Sequence, residues 1–376
     1  MKKRFLAAVL CGAMAVSLLA GCGSSSSSSS STTEAAEETE EAAEETEEAS
    51  DDAEEAAAPA EASGSYEGKT FAIVPKSAGN PYNEKEVEGF TEIIEANGGT
   101  VVVNYPESAT ADAQITVINS LISQGVDSIA VAANDANALS AVMQDAMAEG
   151  IQVSTLDSDV TPESRAAFAN QAGVTEVAQA LCDAVYDIAG GEGQWAIVSA
   201  SSQATNQNAW IDAMKEIMAD DSKYADLELV DIQYGDDEPE LSTTVTQALL
   251  TNYPDLKVIC APTTVGIAAA AKVLQDAGSA CKLTGLGLPS EMANYIGADD
   301  AHSCPYMFLW NPIDLGKLSA YISMNLVDGT ITGAEGDTFE APDLDITYTV
   351  GEDGNVILGA PFAFTPDNID EWKEIY

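Results

Sequence analysis

Histidine occurs once in this chain, at His302, and that scarcity removes most common catalytic arrangements. A Ser/His/Asp triad, a Cys/His pair and a histidine-rich metal site each need an imidazole held by the fold. His302 sits in Asp299-Asp300-Ala301-His302-Ser303, which reads as an exposed turn. Basic residues are also few: 14 Lys and Arg stand against 62 Asp and Glu, a formal charge of -48. Such a chain is not suited to nucleic acid or to an anionic membrane surface. No Cys-x-x-Cys spacing, G-x-S-x-G, G-x-x-x-x-G-K-[ST] or strand-linked G-x-G-x-x-G is present, so no metal, cofactor or phosphate cradle is expected. Two carboxylates, Asp157 and Asp159, could in principle hydrolyse a substrate without histidine. They would share a strand face only if the strand continued, and Pro162 argues that it stops. The chain reads as a binder and not as an enzyme.

The N-terminus supplies the compartment. Lys2, Lys3 and Arg4 precede an apolar stretch from Phe5 to Leu19, too short for an ordinary membrane span. It ends in Leu19-Ala20-Gly21-Cys22, which resembles a bacterial lipobox, so residues 1–21 read as a signal peptide and Cys22 as the lipidated residue. Stable anchoring then follows from burying acyl CH₂ groups at about 0.8 kcal/mol each. Residues 22–65 are mostly serine, glutamate, alanine and threonine without an apolar face. That composition cannot fold alone and reads as an extended acidic tether.

From residue 66 the pattern changes. Short β-branched apolar runs begin near Phe71, Val101, Ser128 and Gln152, then near Trp195, Glu228, Lys257 and Lys282. The intervals within each set suit βαβ units, and continuous apolar strands imply parallel sheets covered on both faces. The wider interval between the sets suggests two sheets, hence two α/β lobes. The helices carry single apolar stripes, such as Trp210, Ala213, Met214, Ile217 and Met218. Later pieces, a run at Tyr306–Trp310, a helix over 314–327 and a β-rich tail over 344–364, would return to the first lobe and then the second. That makes three crossings. The expected division is 66–158 with 288–330 for the first lobe, and 159–287 with 331–376 for the second. Cys182, Cys260, Cys281 and Cys304 read as buried thiols, with one disulfide left open.

In parallel α/β sheets, ligands bind beyond the carboxyl ends of the strands. The polar residues expected there are Lys76, Asn80 and Tyr82, then Asp157 and Asp159, with Asn170 and Gln171 at a crossing. The second lobe offers Asn206, Gln207, Pro262 and Thr263, and the later crossing Trp310 and Asn311. Carboxylates, amides and an aromatic plane suit a polyol. Some have structural readings too: Thr205 or Asn206 as a helix cap, the aspartates as turn caps, Trp210 as core.

Val74-Pro75-Lys76, Leu156-Asp157-Ser158-Asp159, Asn170-Gln171, Asn206-Gln207-Asn208-Ala209-Trp210, Ala261-Pro262 and Leu309-Trp310-Asn311-Pro312 occur in that order. Together they resemble the periplasmic-binding-protein family of ABC sugar importers, type I fold, nearest its rhamnose-binding and autoinducer-2-binding branch. The resemblance implies two Rossmann-like lobes joined by a three-segment hinge. Carried over, the ligand contacts are Lys76, Asp157, Asn206, Gln207 and Pro262. Asn206, Thr263-Thr264 and Asn311 depart from the autoinducer-2 pattern, whereas Trp310 to Gly316 reads closer to the rhamnose type. The expected role is a monomeric, lipid-anchored binder on the outer face of the cell membrane. It would deliver a deoxyhexose or related monosaccharide to a permease and ATPase. The alternatives are an autoinducer-2 binder or a coreceptor for a membrane sensor.

Overall fold

The structure, a computed structural model, describes residues 66–376. The signal, Cys22 and tether readings lie outside the described residues.

The first seven elements alternate, and a further strand follows: β1 (Thr70–Val74), α1 (Pro81–Ala96), β2 (Thr100–Val103), α2 (Ala111–Gln124), β3 (Ser128–Val131), α3 (Ala136–Ala148), β4 (Gln152–Leu156) and β5 (Ala167–Asn170). The chain then crosses to α4 (Val174–Ala189), β6 (Gly193–Ser199), α5 (Thr205–Asp220), β7 (Leu227–Tyr234), α6 (Pro239–Asn252), β8 (Leu256–Ala261), α7 (Thr264–Asp276), β9 (Lys282–Gly285), α8 (Pro289–Met292) and β10 (Met307–Leu309). It returns as α9 (Pro312–Asp328), β11 (Thr338–Ala341), β12 (Ile346–Thr349) and β13 (Asn355–Ile357), and crosses again to β14 (Phe362–Phe364) and α10 (Ile369–Trp372). Two sheets result. The first runs β13-β5-β4-β3-β1-β2 and the second β7-β6-β8-β9, every pair parallel. β10 continues beyond β9 through a Leu286–Phe308 bridge and pairs antiparallel with β14.

The alternation of β1 shows why the runs are continuous. Phe71 and Ile73 face a core shared with Phe90, Ile93 and Ile94 of α1, whereas Ala72 and Val74 face Ile118, Leu121, Leu139 and Met143 of α2 and α3. Both faces are dry, so no polar residue alternates in. Helix ends are specified locally. Asn80, Thr110, Asp135 and Asn311 cap α1, α2, α3 and α9 through their side chains. Gly125, Gly190 and Gly329 end α2, α4 and α9 in the left-handed region. α1 and α9 approach through glycine: a Cβ on Gly316 would lie 2.0 Å from the Glu86 carbonyl oxygen.

The eight expected strand starts fall within two residues of strands in the structure. The lobe boundaries need correction. β5 lies past residue 158 yet pairs with β4, and β13 lies past residue 331 yet pairs with β5. Residues 288–310, assigned to the first lobe by sequence, carry α8 and β10 and belong to the second. The physical reason is edge pairing: β5 extends the sheet at β4, and β13 then covers the edge of β5. Three crossings remain, near Gln171, Asn311 and Gly359.

Candidate functional site

Each sheet reverses its strand order at one strand. β1 has β2 on one side and β3 on the other; β6 likewise stands between β7 and β8. Crevices open at such switch points, beyond the carboxyl ends of the strands. Lys76 follows β1, and Asn206 and Gln207 open the helix after β6. The two crevices face each other and form one pocket between the lobes.

From the first lobe come Lys76, Asn80, Tyr82, Asn83 and Asp157. The Lys76 ammonium pairs with the Asp157 carboxylate at 3.0 Å, both nearly buried. Lys76 is held from behind by the buried Gln114. Its amide donates to the Pro75 and Ala132 carbonyls and accepts from the Asn134 N–H, while the Asn134 amide donates to the Lys76 carbonyl. Asp157 has φ +59°, the left-handed region, which aims its carboxylate into the cavity instead of along the strand. Its Oδ1 accepts from the Tyr82 hydroxyl at 3.1 Å, and Tyr82 accepts in turn from Trp310 Nε1 at 2.7 Å.

The second lobe contributes Gln207, Trp210, Asp237, Pro262, Thr263 and Thr264. Asn206 joins the lobes directly. Its Nδ2 donates to Asp157 Oδ2 at 3.2 Å and its Oδ1 accepts from Lys76 Nζ at 3.2 Å. Leu286, Leu309 and the two indoles of Trp210 and Trp310, 5.7 Å apart, form an apolar wall. The lining therefore combines polar and charged groups with apolar surface. That combination fits a compact polyol carrying one hydrocarbon face or methyl group.

Among the residues expected from sequence, Lys76, Asn80, Tyr82, Asp157, Gln207, Pro262, Thr263 and Trp310 line the cavity, and Asn206 touches its charged centre. Asn80 is also the cap of α1. Four others are elsewhere. Asp159 receives the Arg165 guanidinium and the Thr155 hydroxyl, so it fastens the turn after β4. Asn311 caps α9 through two backbone N–H groups. Asn170 accepts from the Ala172 N–H at a crossing, beside the buried Gln171. Neither Thr205 nor Asn206 caps α5, whose N-cap is Ala204 without a side-chain bond. His302 pairs with Asp299 in its turn.

The sequence of residues 71–331 matches the model of a periplasmic binding protein domain. The chain belongs to the periplasmic binding protein family. This periplasmic binding protein is 58% identical, over 83% of its length and 100% of the other's, to an ABC transporter solute-binding protein from Clostridium phytofermentas solved with bound L-rhamnose, TM-score 0.80. It is 38% identical to a sugar ABC transporter protein from Actinomyces odontolyticus, covering 81% and 97% of the chains, TM-score 0.65. An AI-2-bound LsrB from Clostridium saccharobutylicum shares the fold at 24% identity, 81% and 99% coverage, TM-score 0.75. As a member of this family the chain is a solute-binding protein and not an enzyme.

Among the described residues of this binding protein, Cys182, Cys260, Cys281 and Cys304 are free and buried, and burial pushes the Cys182 and Cys281 thiols up to about 12. They are core residues with little thiolate to react.

Two acidic residues escaped the sequence reading. Asp237 lines the cavity, although Gly235-Asp236-Asp237-Glu238 reads as a solvated turn. Glu86 lies fully buried on α1, and neither carboxyl oxygen finds a partner among the described residues. Burial, then the nearby Asp157 charge, hold the Glu86 carboxyl well above its usual range, with Lys76 opposing. The folded chain thus holds this proton to a higher pH than the unfolded chain does. Stability is then greatest below the ordinary glutamate value and falls as pH rises above it. Glu86→Gln is expected to raise the unfolding midpoint at pH 7.5 by about 2–4 °C, and hardly at all near pH 4. Thermal scans at both pH values check this; an equal gain at both would assign the effect to packing and not to the proton.

Proposed function

We propose that this chain is the substrate-binding component of an ABC importer and captures a rhamnose-like deoxyhexose in the cleft between its lobes. The observation that carries the reading is the 58% identity, across 83% of this chain and the whole of the other, to a solute-binding protein solved with L-rhamnose. The cavity supports it independently. Lys76, Asp157, Asn206 and Gln207 supply donors and acceptors for hydroxyls, and the Trp210, Leu286, Leu309 and Trp310 wall suits a C–H face and a 6-methyl group. In this reading the first lobe binds through Lys76 and Asp157, the second through Asn206, Gln207 and Pro262, and Trp310 covers one face of the sugar. The occupied site contacts both lobes, so ligand favours the closed arrangement. Calorimetric titration of the protein with L-rhamnose tests this: a saturable one-to-one isotherm is expected, and no heat from L-rhamnose together with tight binding of an unrelated solute would contradict it.

The location follows from the N-terminal motif. Cys22 would carry the acyl chains, and the acidic tether would hold the lobes clear of the bilayer beside a permease and ATPase. Cys22→Ala is expected to move the protein from the membrane pellet to the soluble fraction with rhamnose binding unchanged. Retention of the variant in the pellet would remove the anchor.

A further inference from the structure

We propose that Asp237 accepts a hydroxyl of the bound sugar, alongside Gln207, and selects which hydroxyl pattern the second lobe admits. This rests on the sugar reading above and adds a residue to it.

The turn that carries Asp237 is built with care. Its first two N–H groups bond to the end of β6 and the residue after it, Gly235 to the Ser199 carbonyl at 2.9 Å and Asp236 to the Ala200 carbonyl at 3.0 Å. Asp236 and Asp237 then both take the left-handed conformation, at φ 51° and 52°. Two consecutive non-glycine residues there store strain, which persists only where surrounding contacts enforce it. The result is a carboxylate turned into the cavity, with its Oδ1 accepting from the Thr263 hydroxyl.

Counting acceptors then separates the two lobes. A carboxylate has about four lone-pair sites. On Asp157 three are taken by protein donors, from Tyr82, Lys76 and Asn206. On Asp237 only Thr263 donates, and Oδ2 has no protein donor among the described residues. Asp237 itself is half-buried, whereas Gln207 Oε1 is buried without a partner among the described residues, on a side chain that lines the same cavity. The second lobe therefore presents two acceptors whose donors are missing, which hydroxyls of a polyol would supply. Asp237 and Lys76 also stand at the boundary between the inner cavity and the outer cleft, facing both. Burial raises the Asp237 carboxyl above its ordinary range, with the Thr263 hydroxyl and Lys76 opposing. Its position disfavours a sugar acid or sugar phosphate, whose charge would meet this carboxylate in the closed cleft.

The test compares L-rhamnose with its 2-, 3- and 4-deoxy analogues on the wild-type protein, Asp237→Ala and Asp237→Asn. Asp237→Ala should weaken L-rhamnose about 10- to 100-fold, with Asp237→Asn falling between it and the wild type. One deoxy analogue should lose affinity for the wild type yet bind Asp237→Ala and wild type alike. That coupling is not expected of a residue that only shapes the turn. An Asp237→Ala variant that binds L-rhamnose like the wild type, or loses the same factor for every analogue, overturns the inference while leaving the sugar reading in place. A wild type that binds none of these sugars overturns the sugar reading itself.

Discussion

Asp157→Ala is expected to weaken L-rhamnose binding by at least about 100-fold in calorimetric titration, equivalent to about 2.8 kcal/mol. Two losses add. The sugar loses a carboxylate whose charge-assisted hydrogen bonds contribute about 1.5–3 kcal/mol each. The variant also leaves Lys76, only 10% exposed at its side chain, without its partner at 3.0 Å. A buried charge stripped of its partner is far more costly than the intact pair is stabilising. That penalty falls on the closed arrangement, where Asn206 of the second lobe completes the cluster, so the closed population should shrink as well. Affinity within threefold of the wild type would mean that Asp157 serves only its turn.

The largest stability effect is expected outside the cavity lining, at Gly316→Ala. The added Cβ would lie 2.0 Å from the Glu86 carbonyl oxygen and 2.9 Å from its carbon. These are backbone atoms of α1 and cannot rotate away, so α1 and α9 must separate. Overpacking of this kind costs about 3 kcal/mol or more, a fall of about 6 °C or more in the unfolding midpoint. Because α1 also positions Asn80, Tyr82 and Glu86, affinity for the sugar should fall with it. Gly359→Ala is the control: a Cβ there meets nothing within 4 Å, and its midpoint should stay within about 2 °C of the wild type. Equal midpoints for the two variants would show that the helices do not depend on this contact.

The parts legible in the sequence were those whose signal is local. β1 and β3 are almost wholly apolar because both faces of the sheet are covered, and Lys76 and Asp157 follow directly from where β1 and β4 stop. β5 is Ala-Phe-Ala-Asn and β13 only Asn-Val-Ile; neither has a run long enough to show, and their pairing joins residues nearly 190 positions apart. The lobe boundaries were misplaced for that reason. Glu86 was hidden because its neighbours Glu84, Lys85 and Glu88 make the stretch look solvated. It is buried where α1 packs against α9 and beside Tyr82, Lys76 and Asp157. Asp159 and Asn311 looked like site residues because turn caps and sugar ligands draw on the same side chains. Trp210 belongs to both readings, since one indole both fills the α5 face and lines the cavity beside Trp310.

The clamp can be observed directly by small-angle X-ray scattering on residues 66–376, which carry both sheets and all three crossings. With saturating L-rhamnose the radius of gyration should fall relative to the ligand-free protein, because the sugar bridges Lys76 and Asp157 to Asn206 and Gln207 and closes the hinge. In Asp157→Ala the same sugar concentration should leave the curve near its ligand-free form. A wild-type profile unchanged by L-rhamnose at saturation, with binding confirmed in the same sample, would contradict capture by closure of the two lobes.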